Sequence, residues 1–264
     1  MLKWKLSKNL VSELYNNNGA NFIHPWGLET ADSWSFFSLE KGVGYRYSLL
    51  GESIEKQEKV LTQHLDIQFK EGRFSLVHKD QLDDKVIIRE SDLIARSDSV
   101  FMDFVQRYRF KKEFFEYALI AGQKIVHTNS NVYHQFPVKE VVLKGTDLTI
   151  RISIDKVETA NKFTPTMYVR DRGDEWIVHV RMIPSNDEFM VIKLCSRYFK
   201  TSPLPQWLTS AILFFPTIRN ALRYRTERSP YKSRLMNFFA PNAFPMVRLK
   251  CGERLSWKSK LEVL

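Results

Sequence analysis

Apolar and polar side chains alternate with a period of two along much of this chain. Leu148, Ile150, Ile152 and Ile154 alternate with Thr149, Arg151, Ser153 and Asp155. Trp176, Val178, Val180 and Met182 repeat the pattern after the turn-forming run Arg170-Asp171-Arg172-Gly173-Asp174. Successive strand side chains point to opposite faces, so both segments predict half-buried antiparallel strands. Leu65, Ile67 and Phe69 alternate with Asp66, Gln68 and Lys70, then Glu71-Gly72 leads into Phe74 and Leu76. That grammar predicts a hairpin. Residues 34–39 with 45–50, across Gly42 and Gly44, and residues 138–143 with 148–154 predict two more. Residues 102–110 also follow a period of two, whereas Phe114, Phe115, Ala118 and Leu119 fit a helical turn.

Two segments predict helix. Ser7 as a cap with Leu10, Val11 and Leu14 on one face suggests a short helix over residues 7–15. After Tyr198 the character changes. Ser202-Pro203 resembles a helix entry, and Trp207, Leu208, Ala211, Ile212 and Phe215 fall on one helical face. Ile218, Ala221 and Leu222 continue it past Pro216, where a kink or split is expected. The expected architecture is mainly β (α+β). It is a large antiparallel barrel or sandwich of roughly ten strands covered by a C-terminal helix near residues 203–224.

Composition refines this picture. The 264 residues are 44% hydrophobic, which suits a single domain over residues 1–264 with a core that needs no staples. Residues 1–200 would form a β-rich body and residues 201–264 a basic, helix-containing cover. The net charge of +10 is uneven: residues 201–264 hold 11 Lys/Arg and 3 Asp/Glu. A localised basic patch attracts phosphates, anionic lipid or an acidic ligand. Two cysteines, Cys195 and Cys251, are too few for a secreted disulfide framework. The first residues lack the apolar core of a signal peptide, and no run of about 18 apolar residues marks a membrane span. A cytoplasmic location is expected.

No phosphate loop, nucleophile elbow or His-Glu-x-x-His motif occurs. His24, His127 and His134 have no metal-ligand spacing, so neither a metal nor a cofactor is expected. Asn131, Tyr133, His134 and Gln135 form a dense hydrogen-bonding set beside Val132 and Phe136. Ligand pockets combine apolar walls with a few placed polar groups, and a buried structural network has the same composition. His179 and Arg181 lie on the strand face opposite Trp176, Val178 and Val180, turned to solvent or to a ligand. Asp103 with Arg107, and Arg109 with Glu113, have the spacing of surface ion pairs.

The function these residues suggest is binding of an apolar or aromatic small molecule in a β-barrel-like cavity. Trp34, Tyr45, Tyr47 and Trp176 would line it, with Asn131 and Gln135 as polar contacts. His134 as general base and Tyr133 as acid would suit cofactor-independent isomerase or cyclase chemistry. The alternative is binding of nucleic acid or an anionic membrane surface through Arg219, Arg223 and the basic residues after them. The oligomeric state is not legible.

Overall fold

The alternation of apolar and polar positions is preserved as alternation of buried and exposed side chains. In the strand Val60–Phe69, Leu61, Gln63, Leu65, Ile67 and Phe69 are buried and the intervening residues are partly exposed. The structure is a computed structural model that describes residues 2–7, 9–32, 35–40, 43–70, 72–101, 103–159, 162–185, 191–195, 201–203, 205–215 and 243–264. Among these, strands form open antiparallel sheets of two, four, seven and nine strands. The molecule is therefore a sandwich rather than a closed barrel, with more strands than the spacing of turns suggested.

The nine-stranded sheet runs in the order Gln123–Val126, Tyr117–Ile120, Glu140–Lys144, Thr149–Thr159, Arg254–Val263, Val86–Ala95, Gly72–Asp83, Val60–Phe69 and Tyr47–Gln57. The hairpin around residue 71 and that of residues 138–154 are both present. Ala121 and Gly122 both adopt positive φ, as the tight hairpin between residues 120 and 123 requires. The segment after Phe110 holds one 3-10 turn, Lys112–Phe114, before the chain returns to strand.

The seven-stranded sheet runs in the order His134–Phe136, Phe163–Arg172, Glu175–Pro184, Asp103–Lys111, Gly27–Ala31, Phe36–Ser38 and Val43–Tyr45. Its apolar face packs on the nine-stranded sheet: Phe104 meets Trp257, and the Tyr108 hydroxyl lies 2.7 Å from Ser259 Oγ. A polar knot crosses this core. Asp80 accepts hydrogen bonds from Arg89 Nε at 2.8 Å, and lies 3.0 Å from His78 Nε2. Arg89 also donates to the carbonyls of Arg107 at 2.9 Å and Gly27 at 3.3 Å, and lies over the rings of Trp26 and Tyr108.

Two helix expectations are corrected. Residues 7–15 form a hairpin of Lys3–Ser7 with Leu10–Tyr15. Asn9, at φ 66°, supplies the left-handed turn, and Val11 and Leu14 are buried from a strand. The C-terminal helix exists as Gln206–Phe214, but it does not cover the sheet: Trp207 is 73% exposed, Phe214 79% and Phe215 54%. Residues 216–224, the rest of the expected cover, lie outside the described residues. Among the described residues no helix is long and apolar enough to cross a membrane.

Candidate functional site

The face of the seven-stranded sheet turned away from the nine-stranded sheet is polar and largely buried. Register puts Gln135, Tyr168, His179 and Arg107 in one cross-strand row. Thr166, Arg181, Val105 and Glu29 form the next. Facing residues of an antiparallel pair share a face, so both rows belong to one surface. His179 is only 5% exposed and Gln135 2%.

Opposite charges organise this surface. Arg107 Nη1 donates to Glu29 Oε1 at 2.5 Å and to Glu40 Oε1 at 2.7 Å. Glu40 also accepts from Ser38 Oγ at 2.9 Å. Its side chain fills the space over Gly27, where a Cβ would overlap it. Arg181 Nε donates to Asp103 Oδ2 at 2.8 Å, and its Nη1 donates to Gln135 Oε1. Arg109 pairs with Glu175 at 2.6 Å. Among the described residues the expected pairs Asp103–Arg107 and Arg109–Glu113 do not form: residues four apart in a strand are about 13 Å apart, and Glu113 lies in the 3-10 turn after the strand while Arg109 pairs with Glu175.

Glu29 and His179 meet at the centre. Glu29 Oε2 lies 3.8 Å from His179 Nε2, which is hydrogen-bonded to the Tyr168 hydroxyl at 3.1 Å. Burial pushes the Glu29 carboxyl above its ordinary value. Arg107 pulls against that shift and Glu40 adds to it. Burial likewise raises the Tyr168 hydroxyl, so it stays neutral. A carboxyl and an imidazole thus face one space on this surface, side-chain types that serve as general base and general acid. Arg107 Nε and Thr166 Oγ1 are buried on the same surface with no partner among the described residues. Buried polar groups are nearly always satisfied, so leftover groups on a polar surface mark places for a ligand or a water.

The sequence-derived site residues distribute unevenly over this geometry. Gln135 belongs to the polar surface. Tyr133 sits beside it, its ring centroid 5.2 Å from that of Tyr168. His134 is in register with Val169 and Val178, on the core face, so it is separated from Tyr133 by the sheet. Trp176 is fully buried in the sandwich core and donates to the Phe115 carbonyl at 3.1 Å, so it lines nothing on the polar surface. Tyr47 begins a nine-stranded-sheet strand and packs on Phe37. Asn131 lies at the rim, accepting from Arg170 Nε at 2.5 Å. Tyr45 lies in the edge strand of the seven-stranded sheet. Trp34, Arg219 and Arg223 lie outside the described residues. Of the residues that matter most here, Glu29, Glu40 and Tyr168 were missed. Strand parity had placed His179 and Arg181 on the right face.

Among the described residues no three His, Cys, Asp or Glu side chains gather at metal-binding distance. His127 instead bonds the Glu175 carbonyl at 3.1 Å and packs on Trp176.

Comparison with solved structures places the architecture. The chain superposes on a galactose mutarotase-like protein from Lactobacillus casei with a TM-score of 0.53. That match covers 98% of this chain and 96% of the other. The fold is that of galactose mutarotase-like proteins. A galactose mutarotase related enzyme from Lactobacillus acidophilus matches with a TM-score of 0.50, over 100% of this chain and 97% of that one. Sequence identity is 8% in both cases, so the likeness is one of fold. No protein-family model matches the chain, and no curated protein matches it in sequence.

Proposed function

We propose that this protein is a cofactor-independent isomerase of a small sugar, interconverting the anomers of a cyclic aldose on the polar surface of the seven-stranded sheet. The observation that carries the reading is the buried Glu29 carboxylate, with its raised pKa, 3.8 Å from His179 Nε2. A cyclic hemiacetal opens when a base removes the proton from the anomeric hydroxyl while an acid protonates the ring oxygen. Glu29 takes the first proton and protonated His179 gives the second, and reclosure on the other face of the carbonyl returns both. Tyr168 steadies the imidazole, and Arg107, held between Glu29 and Glu40, fixes the position of the carboxylate that acts as base. The density of donors and acceptors favours a polyhydroxylated ligand over the apolar one expected from composition, with Tyr133 and Tyr168 as its aromatic flank. The mutarotase-like fold agrees with this reading and does not by itself carry it.

The test is polarimetry, or exchange NMR, on α-glucose and α-galactose. The wild-type protein should accelerate anomer exchange over buffer, and Glu29→Gln and His179→Ala should each remove at least a hundredfold of that acceleration. Full activity in both variants would overturn the assignment.

A second reading, also proposed, is attachment to an anionic membrane surface. It is favoured by the exposed Trp207, Phe214 and Phe215 and by the basic sequence that follows them. Sedimentation with phosphatidylserine vesicles should be salt-sensitive and lost in Trp207→Ser/Phe214→Ser. Absence of vesicle binding at low salt, or binding to single-stranded nucleic acid alone, would refute it.

A further inference from the structure

We infer that the sugar acted on at this site carries an anionic substituent, a carboxylate or a phosphate, which Arg170 receives at the rim of the polar surface. The inference rests on the isomerase reading above and names the class of sugar.

Arg107, Arg109 and Arg181 on this surface are each neutralised by carboxylates. Arg170 is different. Among the described residues no carboxylate pairs with it. Its Nε donates to Asn131 Oδ1, and its guanidinium carbon lies 4.4 Å from the centroid of the Tyr133 ring. These two contacts fix the plane of the guanidinium and leave its two terminal nitrogens without a partner among the described residues. A planar fork held this way matches the two oxygens of a carboxylate or phosphate.

The holder is itself anchored. Asn131 adopts φ 59° and donates its backbone N–H to the Asp171 carbonyl at 2.9 Å. Asp171 in turn accepts from the backbone N–H groups of Thr128 at 2.8 Å and Ser130 at 2.9 Å. The loop that presents Asn131 and Tyr133 is therefore tied to the same strand that carries Arg170.

Arg170 is also placed to act with the central groups. It shares a face with Tyr168, two residues and about 7 Å along the strand. Tyr133 touches both: its ring lies under Arg170 and against Tyr168, whose hydroxyl bonds His179. Arg170, Tyr133, Tyr168, His179 and Glu29 thus form one contiguous line. A pyranose laid along it with C1 at Glu29 and His179 turns the substituent across the ring toward Arg170.

The experiment compares kcat/KM for anomer exchange of glucose, glucuronate and glucose 6-phosphate in the wild type, Arg170→Gln and Arg170→Lys. The expected result is a wild-type preference for one anionic sugar over glucose. In Arg170→Gln the ratio of anionic to neutral kcat/KM should fall about tenfold to a hundredfold, with partial recovery in Arg170→Lys. Whether glucuronate or glucose 6-phosphate shows the preference identifies the anion. Equal turnover of neutral and anionic sugars, or a preference that survives Arg170→Gln, overturns the inference and leaves the isomerase reading standing. If no sugar is turned over, the isomerase reading fails and the inference fails with it. Circular dichroism of each variant separates loss of the rim contact from loss of the fold.

Discussion

Arg89 joins the core to the site, and its removal is the sharpest test of the architecture. It is a buried cation on the nine-stranded sheet that pairs with Asp80 on the neighbouring strand and reaches across the sandwich to the carbonyls of Gly27 and Arg107. Arg89→Met keeps most of the volume but leaves Asp80 with only His78 and strands two backbone carbonyls. Breaking a buried pair by removing one partner costs about 3–5 kcal/mol, because an uncompensated charge remains. At roughly 2–4 °C per kcal/mol for a chain of this size class, Tm should fall by on the order of 10 °C. The double variant Asp80→Leu/Arg89→Met removes both charges and should recover to within about 1–2 kcal/mol of wild type. Urea unfolding followed by circular dichroism measures all of these. A loss below about 1 kcal/mol in Arg89→Met, or a double variant less stable than the single, would refute the reasoning. The pH dependence has a defined sign. Burial alone would raise the Asp80 carboxyl, but Arg89 and then His78 outweigh it and hold the group far below its usual range. Its contribution is present above the unfolded carboxyl pKa and is lost as pH falls toward the depressed folded value.

Gly27→Ala should cost about 1–3 kcal/mol and lower activity, because the new methyl displaces Glu40 from Arg107 and Ser38; unchanged thermal unfolding would refute it. Asp171→Ala should loosen the loop over residues 128–131 at a cost of about 2–3 kcal/mol, read by hydrogen exchange at Thr128 and Ser130; unaltered protection there would refute it. Burial raises the Asp171 carboxyl, but the Ser130 and Thr128 hydrogen bonds dominate and lower it, so the loop's tie should persist above the ordinary carboxyl range and fail as pH falls through the lowered value. Glu29 has the opposite sign: if it is the base of the proposed anomer exchange, its raised pKa makes the rate fall with decreasing pH from a point above the ordinary Glu value, and a pH-independent rate across that range would remove it from that role.

Strand parity was the most informative signal in the sequence. The alternation that buries Trp176, Val178, Val180 and Met182 also puts His179 and Arg181 on the other face, where they are found. The same parity excludes Trp176 from that face and separates His134 from Tyr133. What the sequence did not disclose is lateral order. Glu29 meets Arg107 across 78 residues, and Asp103 meets Arg181 across another 78, because Gly27–Ala31 and Glu175–Pro184 flank Asp103–Lys111. Pairing of distant strands is decided by topology and burial, which local periodicity does not encode. The helix predicted over residues 7–15 fails for a local reason: Leu10, Val11 and Leu14 fit a helical face, but Asn9 at positive φ turns the chain into a hairpin.

The strand Arg254–Val263 lies between Thr149–Thr159 and Val86–Ala95, and so joins two halves that have no other ladder between them among the described residues. The half from Tyr47–Gln57 to Val86–Ala95 is a sequential meander, whereas in the other Tyr117–Ile120 pairs with Glu140–Lys144 past a segment that belongs to the seven-stranded sheet. Their union waits for the segment that emerges from the ribosome after both. Until then the strands carrying Ile150 and Ile87 present bare edges with apolar faces, the kind of surface that pairs with the wrong chain. A chain without residues 254–263 is therefore expected to leave those two edges unpaired. Aggregation of a product that stops short of that strand is the expected outcome of where a single strand sits in the sheet.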